Sequence, residues 1–391
     1  MQYSASALFF LALVAPILSA AVSGSPEGFA SGTTGGAGGS TVTPSTTDEL
    51  VSYLESNEAL TIVLTKTFDF TGTEGSTTEN GCAPWGTGSG CQLAINKDNW
   101  CANYQSGAGS VSVTYDKAAS TPINVGSDKT LIGEGSAGVI KGKGLSLSGG
   151  VSNVIIQNVA ITELNPEYVW GGDAITLNGC SNVWIDHVTT SLIGRMHIVA
   201  GYETNTAVTI SNCEINGETS WSASCDGHHY WALYFTGTND QITFKGNYIH
   251  HTSGRSPKVD KGTLIHMVNN YWDENSGHAF EGENAYVLLE GSTFDNVQAC
   301  TADYTASTFA PSSVSSSCSS GLGRSCAANS FVNSGAAVSG SDSSVLSKMK
   351  GLKIADADAD ASGVPSSAGV GKVSSSRNAT RRAVSSRFFR V

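Results

Sequence analysis

Between about residue 120 and residue 300 the chain repeats one kind of unit, a short alternating strand followed by a bend that contains Asn or Gly. The units begin 22 to 34 residues apart, and no helical pattern of comparable strength separates them. A strand this short cannot bury its apolar face alone, so successive strands must stack around a shared core, as they do in a solenoid. Clear instances are KTLIGEG from Lys129, SNVIIQNVAI from Ser152, SNVWIDHVTT from Ser181, TAVTISNCEI from Thr206, DQITFKGNYI from Asp240, GTLIHMVNNYW from Gly262 and AYVLLEGSTF from Ala285.

The repeat predicts an all-β fold, a single right-handed parallel β-helix with long side loops. The rival is an antiparallel β-sandwich, which needs hairpins with tight Asn-Gly or Asp-Gly turns. Such turns are scarce between the repeated units. The parallel arrangement is therefore favoured.

The flanks divide the chain further. Residues 1–20 carry no charged side chain, contain an apolar run and end in small residues, which is typical of a secretory signal peptide. We expect one β-helix domain over residues 21–354, with a short helix within 45–60 covering its N-terminal open end. Residues 70–110 form a long loop with three Cys. Residues 355–391, rich in Ala, Ser and Gly and then basic, are predicted to be disordered or loosely attached.

Charge and cysteine content limit the partners and the compartment. The net charge is −12, although six of the 21 cations fall within residues 371–391, so the remainder is more acidic still. Such a body disfavours nucleic acid and favours a neutral partner. No later segment is long and apolar enough to span a bilayer. Nine Cys in an exported chain imply disulfides with at least one thiol left over. We expect a secreted, extracellular monomer.

Four polar residues are the strongest candidates for chemistry. Asp173 lies in WGGDAI, Arg195 in SLIGRMHI, and Arg255 and Lys258 in SGRSPKV. Cations converging on one site, without a matching cluster of carboxylates or histidines, suit the removal of a proton next to a carbonyl and the stabilisation of the resulting enolate. We therefore predict these four as catalytic residues, with no metal and no cofactor.

The stretch from about residue 150 to 295 resembles the fungal-type pectin lyases of the pectate lyase superfamily. The resemblance extends more weakly over roughly residues 24–330, and the basic tail lies outside it. It is carried by WGGDAI (170–175), NVWIDHVTTSLIGRMHIV (182–199), CDGHHYWALYF (225–235), SGRSPKV (253–259) and GHAFE (277–281).

The resemblance implies a catalytic base at Arg255, surrounded by Asp173, Arg195 and Lys258. It implies endo-cleavage of methyl-esterified homogalacturonan (pectin) by metal-independent β-elimination, in a groove along the side of the β-helix. In pectate lyases the segment after WIDH usually supplies an acidic Ca²⁺ ligand, and here Arg195 stands at the corresponding place. A guanidinium there disfavours a bound cation and can stabilise enolate charge.

Three alternatives stay open. A Ca²⁺-dependent pectate lyase is disfavoured by Arg195. A glycoside hydrolase needs two or three clustered acids, and Asp173 has no evident partner in the sequence. A non-catalytic pectin-binding or cell-wall-binding β-helix is disfavoured by the intact pair Arg255 and Lys258.

Aromatic side chains near the groove segments form a second layer. Apolar sugar faces and methyl esters stack well on such rings, so a neutral, esterified polymer is favoured. The predicted substrate-binding residues are Trp85, Trp100, Trp170, Trp231, Tyr104 and Tyr234.

The resemblance also suggests three disulfides, Cys82–Cys101, Cys91–Cys225 and Cys318–Cys326. Cys180, Cys213 and Cys300 are then either buried free thiols or contribute one further pair. The one N-glycosylation sequon begins at Asn378, in the basic tail.

Overall fold

The computed structural model describes residues 21–373. The predicted signal peptide, residues 1–20, and the predicted glycosylation site Asn378 lie outside the described residues. Among the helices in 21–373, none has the length and apolar character needed to cross a membrane.

The chain coils through three faces that enclose one apolar core. The first face is an eleven-stranded sheet. Its strands, in stacking order, are β1 (Ser40–Val42), β2 (Leu60–Leu64), β8 (Lys129–Gly133), β11 (Ser152–Gln157), β15 (Ser181–Asp186), β18 (Thr206–Ser211), β21 (Gln241–Lys245), β24 (Leu264–Val268), β26 (Tyr286–Glu290), β28 (Ser307–Ala310) and β30 (Gly340–Ser341). Its strands pair in parallel up to β28, and β28 pairs with β30 in antiparallel fashion.

The second and third faces belong to one fifteen-stranded sheet that is folded at the long strand β25 (Tyr271–Gly282). The second face contains β3 (Thr67–Asp69), β9 (Val139–Lys141), β12 (Ala160–Leu164), β16 (Thr189–Ile193), β19 (Glu214–Asn216), β22 (Tyr248–His250) and the start of β25, followed by β27 (Thr293–Tyr304) and β29 (Ser330–Val332). The third face contains β7 (Ile123–Asn124), β10 (Leu145–Ser148), β14 (Ile175–Asn178), β17 (Ile198–Ala200), β20 (Leu233–Phe235), β23 (Lys258–Val259) and the end of β25.

These pairings confirm the predicted parallel β-helix. Like residues stack inward from rung to rung: Val154 pairs with Val183, and Ile156 pairs with Ile185, all four fully buried. Because a one-residue slip would turn every buried side chain outward, the alternating pattern fixes the register. The sandwich alternative is wrong.

The bends after the strands of the first face explain why Asn and Gly recur in the sequence. After six of these strands the next residue has φ between 50° and 64°, a region that Asn and Gly enter at lower cost than most residues. The bend interior is also hydrogen-bonded between rungs, since Asn270 Oδ1 accepts from both the backbone and the side-chain N–H of Asn247, each at 3.0 Å. The stacked left-handed residues are Asn158, His187, Asn212, Gly246, Asn269 and Gly291.

A helix covers the N-terminal end of the solenoid. Helix α1 (Thr47–Glu55) begins after Thr46, whose hydroxyl accepts the N–H of Glu49 at 3.2 Å, and it buries Leu50 and Leu54 in the core. The predicted helix within 45–60 is confirmed. The other helices are α2 (Trp100–Tyr104), α3 (Lys117–Ser120), α4 (Ser319–Leu322), α5 (Ser343–Met349) and α6 (Val364–Ser367), with 3₁₀ turns at Gly28–Ala30, Lys97–Asn99 and Ser316–Cys318.

The side loop over 70–110 is partly regular. It contributes β4 (Ser76–Ala83), β5 (Leu93–Ala94) and β6 (Gly109–Asp116) to a small sheet with β13 (Tyr168–Val169). The three predicted disulfides, Cys82–Cys101, Cys91–Cys225 and Cys318–Cys326, are present. The alternatives left open for the remaining cysteines resolve into free, buried thiols at Cys180, Cys213 and Cys300.

The C-terminal segment 355–373, here called the strap, is folded onto the β-helix, so the predicted boundary at residue 354 is wrong. Ala361, Val364 and Ala368 form a small buried cluster against Tyr248 and Tyr271 of the second face. Small side chains allow this close approach, which a composition-based prediction of disorder does not anticipate.

The strap runs back along the stacked bends. The Asn269 amide donates to the carbonyls of Asp358 (3.1 Å) and Asp360 (3.2 Å) and accepts the N–H of Asp358 (2.8 Å). Further on, Gly371 N–H donates to Asn158 Oδ1 at 2.7 Å. The left-handed Asn residues thus anchor the strap as well as turning the chain.

Candidate active site

The predicted catalytic residues lie on neighbouring rungs of the third face. Asp173 comes before β14, Arg195 before β17 and Arg255 before β23, which begins at Lys258. The Arg195 N–H donates to the carbonyl of Gly172 at 2.9 Å, so the first two rungs are stacked directly. The rung of β20 separates Arg195 from Arg255, because β20 pairs with both β17 and β23. Neighbouring rungs of such a sheet lie about 4.8 Å apart.

Asp173 and Arg195 form a two-point ion pair. Arg195 Nε donates to Asp173 Oδ1 at 2.8 Å, and the terminal nitrogen NH2 donates to Oδ2 at 2.5 Å. Asp173 Oδ1 also accepts the backbone N–H of Met196 at 2.9 Å. Burial acts to lower the pKa of Arg195, but the Asp173 carboxylate outweighs burial and raises the pKa above the ordinary value. Arg195 is therefore a permanent cation.

Arg255 and Lys258 share a carboxylate that sequence reasoning missed. Glu281 Oε1 accepts from Arg255 Nε at 3.0 Å and lies 3.2 Å from Lys258 Nζ. The expectation that Asp173 has no evident acidic partner is therefore wrong, since the groove holds Glu281 as a second carboxylate. Glu281 ends the segment GHAFE, which already carried part of the family resemblance. Its contact with Arg255 and Lys258 could not be predicted, because it depends on the strand register that places Glu281 opposite Lys258.

Two further donors hold the other oxygen of Glu281. Its Oε2 accepts from His278 Nε2 at 2.8 Å and from the Tyr230 hydroxyl at 3.2 Å. Burial acts to raise the pKa of Glu281, but the His278 hydrogen bond and the charges of Arg255 and Lys258 lower the pKa to about 2. Glu281 is accordingly an anion at any pH at which the protein is expected to work.

Arg255 is packed among aromatic rings. Its guanidinium carbon lies 4.9 Å from the ring centre of Trp231, 5.2 Å from that of Tyr234 and 5.7 Å from that of Tyr230. Its backbone adopts φ 45°, an unfavourable value for a residue with a Cβ. Strain of this kind is tolerated where the surroundings hold a functional residue in place.

The predicted tryptophans form a continuous wall between the two arginines. Arg195 lies 4.4 Å from the ring centre of Trp170, at one end of the wall, and Arg255 contacts Trp231 at the other. Successive ring centres are 6.2 Å apart for Trp170–Trp100, 6.4 Å for Trp100–Trp85 and 5.9 Å for Trp85–Trp231. The structure therefore brings together all four predicted tryptophans.

The two predicted tyrosines take different places. Tyr104 lies at the edge of the wall, 6.4 Å from the ring of Trp100, and is 73% exposed. Tyr234 lies beneath Arg255, in register with Lys258 on the next rung. Tyr104 is therefore accessible to a large ligand, whereas Tyr234 belongs to the floor of the groove.

Trp85 and Trp100 are carried by the side loop, and a buried glutamine joins this loop to the groove. Gln92 Nε2 donates to the carbonyl of Gly194 at 2.7 Å, and Gln92 Oε1 accepts the indole N–H of Trp231 at 3.0 Å. The adjacent disulfide Cys91–Cys225 adds a covalent tether. Gln92 was missed by sequence reasoning, and its position next to Cys91 was the available signal.

Each arginine lines its own pocket. A cavity of about 300 Å³ is lined by Tyr115, Trp170, Asp173, Thr176 and Arg195, among others. A second cavity of about 420 Å³ is lined by Trp85, Ser224, Trp231, Ser253 and Arg255, among others. Polar walls with aromatic sides are suited to sugar units, which present hydroxyls at their edges and apolar faces.

Comparison with known proteins places this site in a family. The sequence profile described as Pectate lyase matches residues 100–373, well over half of the chain. The chain belongs to the pectate lyase family.

Curated members of this family match almost the whole chain. Pectin lyase A of Emericella nidulans is 60% identical over 365 residues, covering 92% of this chain and 96% of the relative. Probable pectin lyase B of Aspergillus fumigatus is 58% identical over 374 residues, covering 95% of this chain and all of the relative.

Solved structures of pectate lyases share the fold. The enzyme from Bacillus sp. N165, in complex with trigalacturonate, gives a TM-score of 0.55 at 20% identity, covering 89% of this chain and 100% of that one. The enzyme from Paenibacillus sp. 0602 gives 0.57 at 16% identity, covering 91% and 98%. The predicted right-handed parallel β-helix is thereby confirmed.

In this pectate lyase family member the groove carboxylates are already engaged by cations. Asp173 is held by Arg195, and Glu281 by Arg255 and Lys258. Calcium is bound by several oxygen ligands, commonly carboxylates and carbonyls. Within residues 21–373, no three His, Cys, Asp or Glu side chains are grouped so as to hold a metal ion.

Proposed function

We propose that the protein cleaves methyl-esterified homogalacturonan, the main chain of pectin, by β-elimination at internal bonds and without a metal ion. The full-length relatives are pectin lyases by name, at 54–60% identity. The observation that carries the proposal is the pairing of each groove carboxylate with an arginine, at the two ends of a wall of four tryptophans.

The substrate chemistry explains why cations suffice. In a galacturonate unit the proton on C5 is α to the C6 carbonyl, and the glycosidic O4 is β to it. When C6 is a methyl ester, removal of that proton gives an enolate with one negative charge. When C6 is a free carboxylate, the same step gives a dianion, which requires more positive charge in the site. Fixed guanidinium and ammonium groups are suited to the first case.

The residues then take distinct roles. By family resemblance, Arg255 is the base: after its guanidinium has lost a proton to water, the neutral nitrogen accepts the C5 proton. The electrons of the C5–H bond form the C4–C5 double bond, the electrons of the C4–O4 bond leave with O4, and O4 takes up a proton from water. Lys258, beside Arg255, supplies positive charge for the enolate oxygen, and Arg195 supplies a second fixed cation oriented by Asp173. The tryptophans stack against sugar faces and ester methyl groups.

A product assay with two substrates and a chelator tests the proposal. Each elimination leaves a 4,5-unsaturated non-reducing end, which absorbs ultraviolet light. We expect product from highly esterified pectin, equal rates with and without EDTA, and much slower reaction with polygalacturonate. A rapid fall in viscosity at low conversion would mark internal cleavage.

The same assay separates the alternatives. Product from polygalacturonate alone that disappears with EDTA and returns with calcium would make the protein a calcium-dependent pectate lyase. Pectin binding without product would make it a binding protein. New reducing ends without ultraviolet absorbance would indicate a hydrolase.

We further propose that the protein is exported and acts as an extracellular monomer. The predicted signal peptide and the disulfides support export, because disulfides persist in oxidising compartments. Secretion from a fungal host, with enzymatic deglycosylation to examine Asn378 and gel filtration with light scattering, would test location, modification and oligomeric state together.

A further inference from the structure

We propose that Glu281 is the positioning residue of the elimination: its carboxylate holds Arg255 and Lys258 at one point of the groove and orients the guanidinium of Arg255 toward the substrate. This inference rests on the function proposed above and adds to it the residue through which the base and its neighbouring cation act.

The location of Glu281 follows from the rungs. Glu281 on β25 is the Cα partner of Lys258 on β23, so both side chains leave the sheet on the same outer side, one rung apart. Arg255 lies three residues before Lys258, at the preceding bend. The side chain of Glu281 is 10% exposed, while the side chains of Arg255 (22%) and Lys258 (27%) reach further out. The carboxylate therefore lies beneath the two cations rather than beside the substrate.

The way in which each arginine is held differs. Asp173 accepts hydrogen bonds from both Nε and the terminal nitrogen NH2 of Arg195, so this edge of the guanidinium is fully used by the ion pair. Glu281 is bonded to Arg255 through Nε alone. The ion pair with Glu281 thus holds Arg255 at Nε and leaves its terminal nitrogens outside this bond, and Arg255 lines the pocket shared with Trp85 and Trp231.

The carboxylate is itself fixed from the far side. His278 and Tyr230 both donate to Oε2, while Arg255 and Lys258 lie at Oε1. An ionised carboxylate has about four acceptor positions, so the four partners fill it. Tyr230 is also packed against Gly254, where a Cβ would come within 2.4 Å of the tyrosine ring, so the ring and the backbone before Arg255 support each other.

Without Glu281, Arg255 and Lys258 would repel each other at short range in a partly buried site, and a residue whose backbone is already strained would lose its main restraint. Reacting groups displaced by about 1 Å commonly lose about 10²-fold in rate. The expected defect is therefore in turnover rather than in substrate binding, which the tryptophan wall supplies.

The test uses Glu281→Gln, Glu281→Asp and Glu281→Ala, with Glu274→Gln as the matched control on the same strand. Glu274 is exposed and pairs with His251, away from both arginines. On esterified pectin we expect Glu281→Gln to lower kcat by about 10²-fold with KM changed by less than about threefold. Glu281→Asp should recover part of kcat, and added formate should raise the activity of Glu281→Ala in a concentration-dependent manner. Circular dichroism and thermal melting establish that each variant is folded at the assay temperature.

The outcomes are decisive and separate from those of the parent proposal. A folded Glu281→Gln variant with kcat within about threefold of the unmodified protein would overturn the inference, because the carboxylate would then be dispensable. Failure of formate to restore any activity to a folded Glu281→Ala variant would also overturn it, in favour of a structural role. If the unmodified protein forms no unsaturated product from pectin, it is the proposed function that fails.

Discussion

Arg195 and Asp173 are joined by two parallel hydrogen bonds across adjacent rungs, Nε to Oδ1 at 2.8 Å and NH2 to Oδ2 at 2.5 Å. The ring of Trp170 lies on the face of the same guanidinium, at 4.4 Å. Such fork geometry fixes both the position and the plane of the cation. A lysine in place of Arg195 could not reproduce it.

Asp173→Asn is expected to lower kcat/KM on esterified pectin by about 10²-fold, because Arg195 would lose its charged partner and its fixed plane. Asp48→Asn, which alters an exposed carboxylate in α1, is the matched control and should leave the rate unchanged. Initial rates of product absorbance measure both. A rate within about twofold for the Asp173 variant would contradict the role given to this pair.

Arg255→Ala should abolish elimination, with a loss of at least about 10³-fold, since it removes the group that accepts the proton. Binding should persist, because the tryptophans remain. Affinity electrophoresis in pectin gels compares retention of the variant with that of the unmodified protein. Residual activity above about a tenth would show that another group is the base.

Removal of the Cys91–Cys225 disulfide by paired Ser substitutions is expected to raise KM more than it lowers kcat. The bond fastens the loop that carries Trp85 and Trp100, while Arg255 stays on its rung. Paired Ser substitutions at Cys318 and Cys326, at the C-terminal end of the β-helix, are the control: they should lower the melting temperature without changing KM. Equal KM values in both double variants would disprove the assignment of the loop to substrate binding.

Deletion of the strap should destabilise the protein. A chain ending at residue 354 exposes Tyr248 and Tyr271 and loses the hydrogen bonds of Asn269, at a cost of about 3 kcal/mol in the free energy of unfolding. A chain ending at residue 373 keeps these contacts and is the control. Denaturant unfolding of the two truncated chains should give clearly different midpoints, whereas identical midpoints would mean that the strap contributes nothing.

Acid should destabilise the fold through Glu290, which is buried between His266 and Arg324. Burial acts to raise the pKa of Glu290, but the hydrogen bonds from His266 and Arg324 outweigh burial and lower the pKa to about 2, against 4.5 for an ordinary glutamate. A group whose pKa is lower in the folded state stabilises above its unfolded pKa. That stability is lost as the pH falls from about 4.5 toward 2, by up to about 1.4 kcal/mol per pH unit.

Glu290→Gln should therefore unfold more readily than the unmodified protein at pH 5 and show a flatter pH dependence below 4.5. Unfolding free energies at pH 5, 4 and 3 measure both effects. Parallel pH profiles for the variant and the unmodified protein would exclude Glu290 as a source of acid sensitivity.

Much of this architecture could be predicted because its determinants are local. The alternation of Val154 and Ile156 with outward residues, and the left-handed Asn158 that follows their strand, are visible within ten residues. One such strand and bend is weak evidence for a β-helix, but the same pattern recurs along the chain and the repeats together predict the fold. The four cationic and acidic site residues lay in short segments of the same kind.

The parts that were missed depend on register. Glu281 and Lys258 are 23 residues apart, and they meet because the intervening bends have particular lengths that no local pattern reveals. The strap has the composition of a disordered tail. It is ordered because its backbone hydrogen-bonds to the side chains of Asn269 and Asn158, which lie in stacked bends of the β-helix. Contacts between distant segments of a solenoid are decided by its three-dimensional stacking, so they appear only in the folded structure.

A single strand, β20, lies between the rungs of Arg195 and Arg255. The two cations are therefore separated by two rung spacings along the axis of the β-helix. Extra coils inserted before β10 or after β27 would lengthen the molecule without altering that step count. The spacing of the two cations along the coil is thus independent of the number of coils that lie outside them.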